Sequence, residues 1–157
     1  MTKYLNILFY VIIISIYLNN KSYSFNEENL QKLLDTNICI KCDLSGADLR
    51  KKDLSGANLN GSNMNKVNLW RATLKNANLN GVSMEEANLR RVNLENANLN
   101  NASFRWSIIR NAKMDGATAI NSDFRKAVIK KTSLKFIIFC NTKMKYGTDN
   151  SGCVTNE

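Results

Sequence analysis

A period of five runs through this chain: CDLSG ADLRK KDLSG ANLNG SNMNK VNLWR ATLKN ANLNG VSMEE ANLRR VNLEN ANLNN ASFRW. With the apolar residue of each unit in third place, the centres run without a phase break from Leu44, Leu49 and Leu54 to Leu134, Phe139 and Met144, which makes 21 units. Ala119 is the one centre that is not Leu, Met, Phe or Ile. The first place is small or β-branched, as at Ala47, Ala57, Val67, Ala77, Val82, Ala87 and Val92, with Lys52 and the bulkier Ile137 departing from the pattern. Neither a helix nor a strand can hold a five-residue repeat on one side, because their side-chain periods are 3.6 and 2. The chain must turn at every unit. Large third-place and small first-place residues then point inward, and places two, four and five point outward.

These units resemble the pentapeptide-repeat family, whose pattern is Ala, Asp or Asn, Leu, then two variable residues, over about two thirds of the chain. The resemblance implies an all-β solenoid: a right-handed quadrilateral β-helix with four units per turn and about five coils, in which each repeat is stabilised by its neighbours. At a strand spacing of about 4.8 Å such a solenoid is roughly 25 Å tall. Its ends need cover, because an open end exposes apolar centres and strand edges. SFNEENLQKLLDT supplies a short helix for one end, expected over residues 25–38. Ser24 or Asn26 is its cap, Glu27 and Glu28 occupy the first turn, and Leu30, Leu33 and Leu34 form the apolar face. The repeat solenoid is expected over 39–146 and a turn-rich covering tail over 147–157.

The first 24 residues, MTKYLNILFYVIIISIYLNNKSYS, place Lys3 before an apolar run from Tyr4 to Leu18 and small residues at Ser22 and Ser24. They read as a secretory signal cleaved after Ser24. A spanning anchor is the alternative, but it needs about 20 apolar residues, and this run is shorter and interrupted by Asn6 and Ser15. The expected product is exported, to the periplasm or outside the cell. Its formal charge, +9 for the whole chain, falls by two if Lys3 and Lys21 leave with the signal. That balance favours anionic partners and does not dictate a fold.

Export permits disulfides, and the four cysteines are even in number. Cys39 and Cys42 form a C-x-x-C, with local packing or a local disulfide weighed above a redox or metal role. Cys140 is in an outward fourth place with Cys153 within loop distance, and a bridge between them would contribute about 3 kcal/mol. In the implied solenoid the two pairs sit at opposite ends, so they cannot share one zinc ion, whose sulfur ligands lie about 2.3 Å away. CIKCDLSGADL and FCNTKMKYGTDNSGC look like terminal signatures of an exported bacterial branch of the family, which supports structural cysteines.

With 20 residues per turn, the outward fourth and fifth places sort into faces. One face collects Arg50 and Lys51, Trp70 and Arg71, Arg90 and Arg91, Arg110 and Asn111, and Lys130 and Lys131. The opposite face, from Asn60 and Gly61 to Cys140 and Asn141, holds no charge. Two readings stay open for the basic face. Its long side chains can cover apolar flank while remaining solvated, or they form a strip for a polyanion, with Trp70 as a stacking group.

Nothing in the sequence looks catalytic. His is absent, no glycine-rich phosphate loop occurs, Asp43, Asp48 and Asp53 occupy the second place, and adjacent Glu85 and Glu86 read as solvated. No metal, cofactor or small-molecule substrate is expected. The leading expectation is a monomeric, non-enzymatic interaction scaffold for an unidentified protein partner. Next comes binding of an anionic envelope polymer, lipid headgroup or, less favoured, nucleic acid. One known role in the family, DNA mimicry that protects topoisomerases, relies on a strongly acidic rod and is disfavoured by the basic charge and the signal.

Overall fold

The computed structural model describes residues 26–153; residues 1–25, which include the expected leader, and residues 154–157 lie outside them. The chain enters through helix α1, Glu27–Thr36, capped by Asn26, whose side chain accepts the Asn29 amide at 3.1 Å. Glu27 and Glu28 sit in its first turn, where they oppose the positive end of the helix dipole. Asn37 ends it in the left-handed conformation, φ 57°, its amide returning to the Leu33 carbonyl. Leu33 is fully buried and Leu30 packs on the core, whereas Leu34, expected on the same face, is 41% exposed. The Asn26 amide donates to the Asp43 carbonyl and fixes the lid to the first coil.

Beyond α1 the chain is a solenoid of parallel bridges. Each isolated bridge joins residues 20 apart, from Ile38 with Asn58 to Asp123 with Lys143. The bridged repeat therefore begins at Ile38, one residue before the expected boundary, and Cys39 is an additional fully buried centre one unit before Leu44. The two short strands β1 (Ile108–Arg110) and β2 (Val128–Lys130) continue the same parallel register.

The unit Ala87–Arg91 shows how all five amides of a pentapeptide are satisfied. Ala87 closes a turn onto the Met84 carbonyl, Asn88 donates to Val67 in one neighbouring coil, and Leu89 and Arg91 donate to Ile108 and Arg110 in the other. The fifth amide, of Arg90, donates to the Asn88 side-chain oxygen. That last bond explains the Asn or Asp of the second place: it caps the fourth-place amide, which would otherwise lack a partner. The same bond recurs at Asp48, Asp53, Asn68, Asn78, Asn98 and Asp123. Second-place residues were expected outside with the fourth and fifth places. Many of them are only partly exposed and bonded to a neighbouring coil, as in Asn63 to Asp43 and Asn88 to Asn68.

Third-place residues from Leu44 to Phe124 are buried, as are the first-place Ala and Val of the central coils. Phe104 stacks on Phe124 at 4.7 Å, and Phe124 meets Phe139 edge-on. Ala119, the exceptional centre, donates its amide to Ile138, immediately before Phe139, so the small side chain falls beside a large one and local volume is conserved. At the C-terminal end the expected last unit, Thr142 to Tyr146, keeps the parallel register through Lys143, and the segment after it folds back. Strand β4 (Gly147–Asp149) turns back antiparallel onto the unit's strand β3 (Thr142–Met144).

Candidate polyanion-binding column

Backbone hydrogen bonds place the predicted basic residues in one column. The Lys51 amide donates to Trp70, Arg71 to Arg90, Arg91 to Arg110 and Asn111 to Lys130, each at 2.8–3.0 Å. Arg110 and Lys130 are also paired residues of β1 and β2. Lys131, next to Lys130, completes the set.

The members of the column differ in what they have free. Arg50 is held by Asp48, whose carboxylate receives its guanidinium at two nitrogens, and that bond lowers the Asp48 pKa and raises that of Arg50. Trp70 is already engaged on its ring by two cations, Arg71 at 4.7 Å and Lys51 at 5.4 Å, so it is not the free stacking group that the sequence suggested. Arg90 reaches Asn88 Oδ1 at 3.0 Å. Among the described residues, no carboxylate forms an ion pair with Lys51, Arg71, Arg90, Arg91, Arg110, Lys130 or Lys131.

Other columns show what the solenoid does without such a concentration. In the column two units further along, the side chains of Asn60 and Asn80, of Asn121 and Asn101, and of Asn141 and Asn121 bond to one another. Elsewhere charge is compensated, as in Lys75 and Lys113 on either side of Glu95 and in Lys66 with Glu86.

A second basic group went unremarked in the sequence. Arg105 and Trp106, Arg125 and Lys126, and Lys145 and Tyr146 follow one another at the same interval of 20 in the neighbouring column. Lys126 lies 4.0 Å from the Trp106 ring and Lys145 lies 4.6 Å from the Tyr146 ring. Sorting all four columns by the period would have found it.

Both expected disulfides are present, Cys39–Cys42 and Cys140–Cys153, and no free cysteine remains among the described residues. The first lies inside the first coil, with Cys39 fully buried and Cys42 nearly so. The second ties the tail to the last coil, where the Gly152 amide also donates to the Phe139 carbonyl. A Cβ on Gly152 would lie 2.9 Å from Ile138 Cγ2, so only glycine allows the tail to approach this closely. Among the described residues no group of three or more His, Cys, Asp or Glu is arranged to hold a metal ion, and no helix is long and apolar enough to cross a membrane.

The family model for pentapeptide repeats matches in overlapping stretches over residues 38–76, 53–91, 71–105 and 87–125, and the bridged units extend beyond them in both fold and register. The chain belongs to the pentapeptide-repeat family. Among curated proteins none matches it. Three solved structures of pentapeptide-repeat proteins share its fold. Rfr23 from the cyanobacterium Cyanothece is 22% identical, with a TM-score of 0.73, 79% of this chain covered and 98% of that one. A pentapeptide-repeat protein from Nostoc is 21% identical, with a TM-score of 0.57 and coverages of 76% and 96%. One from the Arabidopsis thaliana thylakoid lumen is 19% identical, with a TM-score of 0.50 and coverages of 77% and 83%.

Proposed function

We propose that this pentapeptide-repeat protein is an exported, non-enzymatic interaction scaffold, a right-handed quadrilateral β-helix of about five coils, and that its basic column docks an anionic envelope polymer. The observation that carries the docking role is a backbone one. Fifth-place residues lie in the left-handed region, which favours Gly and then Asn. The column two units further along obeys that preference from Gly61 through Gly81, Asn101, Asn121 and Asn141, with Lys41 below them as its exception. The basic column has one such residue, Asn111, and otherwise Lys51, Arg71, Arg91 and Lys131, at φ of 50–59°. Turn chemistry does not select these cations, and stacked like charges repel across a coil spacing of about 5 Å. An anionic ligand offsets the repulsion.

A non-enzymatic role is supported by the absence of His and by the employment of the carboxylates. Asp43, Asp48, Asp53 and Asp123 cap fourth-place amides, Glu85 accepts the Ser103 hydroxyl and Glu86 pairs with Lys66. Export rests on the leader sequence alone. A mass determination of the exported product tests cleavage after Ser24.

The docking test is titration of the exported protein with lipopolysaccharide and with DNA at several salt concentrations, beside a variant carrying Arg71→Gln, Arg90→Gln, Arg91→Gln and Arg110→Gln. Binding should weaken linearly in log salt, with a smaller slope for the variant. If the wild type binds neither of them in a salt-sensitive way, the column has no docking role.

A further inference from the structure

We propose that the C-terminal end of the solenoid docks on an anionic lipid bilayer, with Phe136 and Tyr146 entering the headgroup layer and the lysines around them engaging its charge. This surface is distinct from the upstream part of the basic column, and the inference holds or fails independently of what that column binds.

Charge is distributed very unevenly along the solenoid. Residues 26–101 hold ten Lys or Arg and nine Asp or Glu, close to neutrality. Residues 102–153 hold ten Lys or Arg and only three acids, Asp115, Asp123 and Asp149. Asp123 is paired with Arg125, which leaves Asp115, bonded to the Ser133 hydroxyl and the Lys135 amide, and Asp149 as the acids facing the remaining cations.

The most exposed rings stand at the same end, whereas the half-exposed Leu34, Ile38 and Ile40 at the other end are aliphatic. Phe136 is 86% exposed and Tyr146 is 89% exposed, with Ile138 and Trp106 also standing out from the surface. Phe136 lies at φ 56°, a left-handed position that a bulky residue adopts at a cost, so neither burial nor backbone preference accounts for a phenylalanine there. Each exposed ring has a cation next to it in sequence or space: Lys135 with Phe136, Lys145 with Tyr146 and Lys126 with Trp106. Behind them Ile129, Leu134, Ile137 and Met144 are only partly buried. An open cavity of about 550 Å³ runs between the hairpin and Phe124, Ala127, Ile129 and Met144.

A soluble polyanion would account for the lysines but not for the rings. A second copy meeting end to end would account for the rings, but it would bring two lysine-rich rims of the same sign together. An anionic bilayer accounts for both, because aromatic side chains favour the membrane interface and each nearby Lys or Arg adds to the attraction.

The test is co-flotation of the protein, as recovered from the exporting cell, with vesicles of neutral phosphatidylcholine and with vesicles containing phosphatidylglycerol. Three variants accompany it: Phe136→Ser with Tyr146→Ser; Lys130→Gln, Lys131→Gln, Lys135→Gln and Lys145→Gln; and the upstream Arg71→Gln, Arg90→Gln and Arg91→Gln. The wild type should bind only the anionic vesicles. The aromatic variant should bind at least about tenfold more weakly and the lysine variant about a hundredfold more weakly, whereas the upstream variant should stay within about twofold. All four proteins should keep the same circular dichroism and unfolding midpoint, which separates lost docking from lost folding. Equal binding to neutral vesicles, or anionic binding that survives the aromatic change, would overturn the inference, as would a dimer in sedimentation that those same changes dissolve.

Discussion

At the N-terminal end, α1 lays the fully buried Leu33 over the first coil, and the Cys39–Cys42 bridge closes that coil from inside. At the C-terminal end, a hairpin of three-residue strands and the Cys140–Cys153 bridge stand beside Leu134, Ile137 and Met144, which remain only partly buried. One end is covered as a protein core is covered, and the other is tied down without being sealed. In a solenoid each coil is stabilised by its neighbours, so the terminal coil, with a neighbour on one side, is where a thin cover is felt most. That same end combines cations with exposed rings, so weak local packing and a candidate docking surface coincide.

The largest effect that would break this comparison comes from the centres. Leu89→Ala, in a fully buried mid-solenoid position, should cost about 2–5 kcal/mol in urea unfolding. Leu134→Ala, in the last coil, should cost less than half as much, and equal costs would mean that the C-terminal end is sealed after all. Cys153→Ser comes next, at up to about 3 kcal/mol. Amide exchange should accelerate across residues 138–149 and stay unchanged around Cys39; a uniform change along the chain would contradict a local staple. Asn88→Ala removes the cap on the Arg90 amide and the bond to Asn68, with an expected loss of about 1–2 kcal/mol. Asn88→Asp retains the acceptor and should lose less, so the reverse order in unfolding midpoints would reject the capping role.

Acidification should separate the ends least. Asp48 is held below the ordinary 3.8 chiefly by its bond to Arg50, and Asp53 by Ser55, both toward the N-terminal end. Asp115 is lowered by Ser133 and Asp123 by Arg125, both toward the other end. A depressed folded-state pKa contributes stability above the unfolded value and loses it as pH falls through the folded value. Stability from these groups should therefore hold from pH 7 to about 5 and decline below about 4 at both ends. A gain in unfolding midpoint below pH 4 would be inconsistent with these bonds.

Most of the fold was legible because a strict period of five is a local signal: any unit reveals which residues face inward. The basic column was legible for a related reason, since adding the 20-residue turn implied by the family resemblance places Arg71, Arg90 and Arg110 in line. Less visible were features that depend on chemistry between side chain and backbone. Asn88 appears in the sequence as a recurrent second-place residue pointing outward, but its oxygen completes the amide bonding of its own unit. Leu34 has the right helical spacing for the lid yet is left partly in water.

By itself the sequence determined that the chain turns at every unit, which side chains line the interior, and that cations recur at one outward position. Those properties follow from spacing, and spacing is written residue by residue. Only the tertiary structure decided that the repeat begins before Cys39, that Arg50 and Trp70 are already engaged, and that the tail folds back onto the last unit as a hairpin. These outcomes depend on contacts between residues far apart in the chain, such as Cys140 with Cys153 and Lys51 with Trp70. Their energies arise only once the coils have stacked.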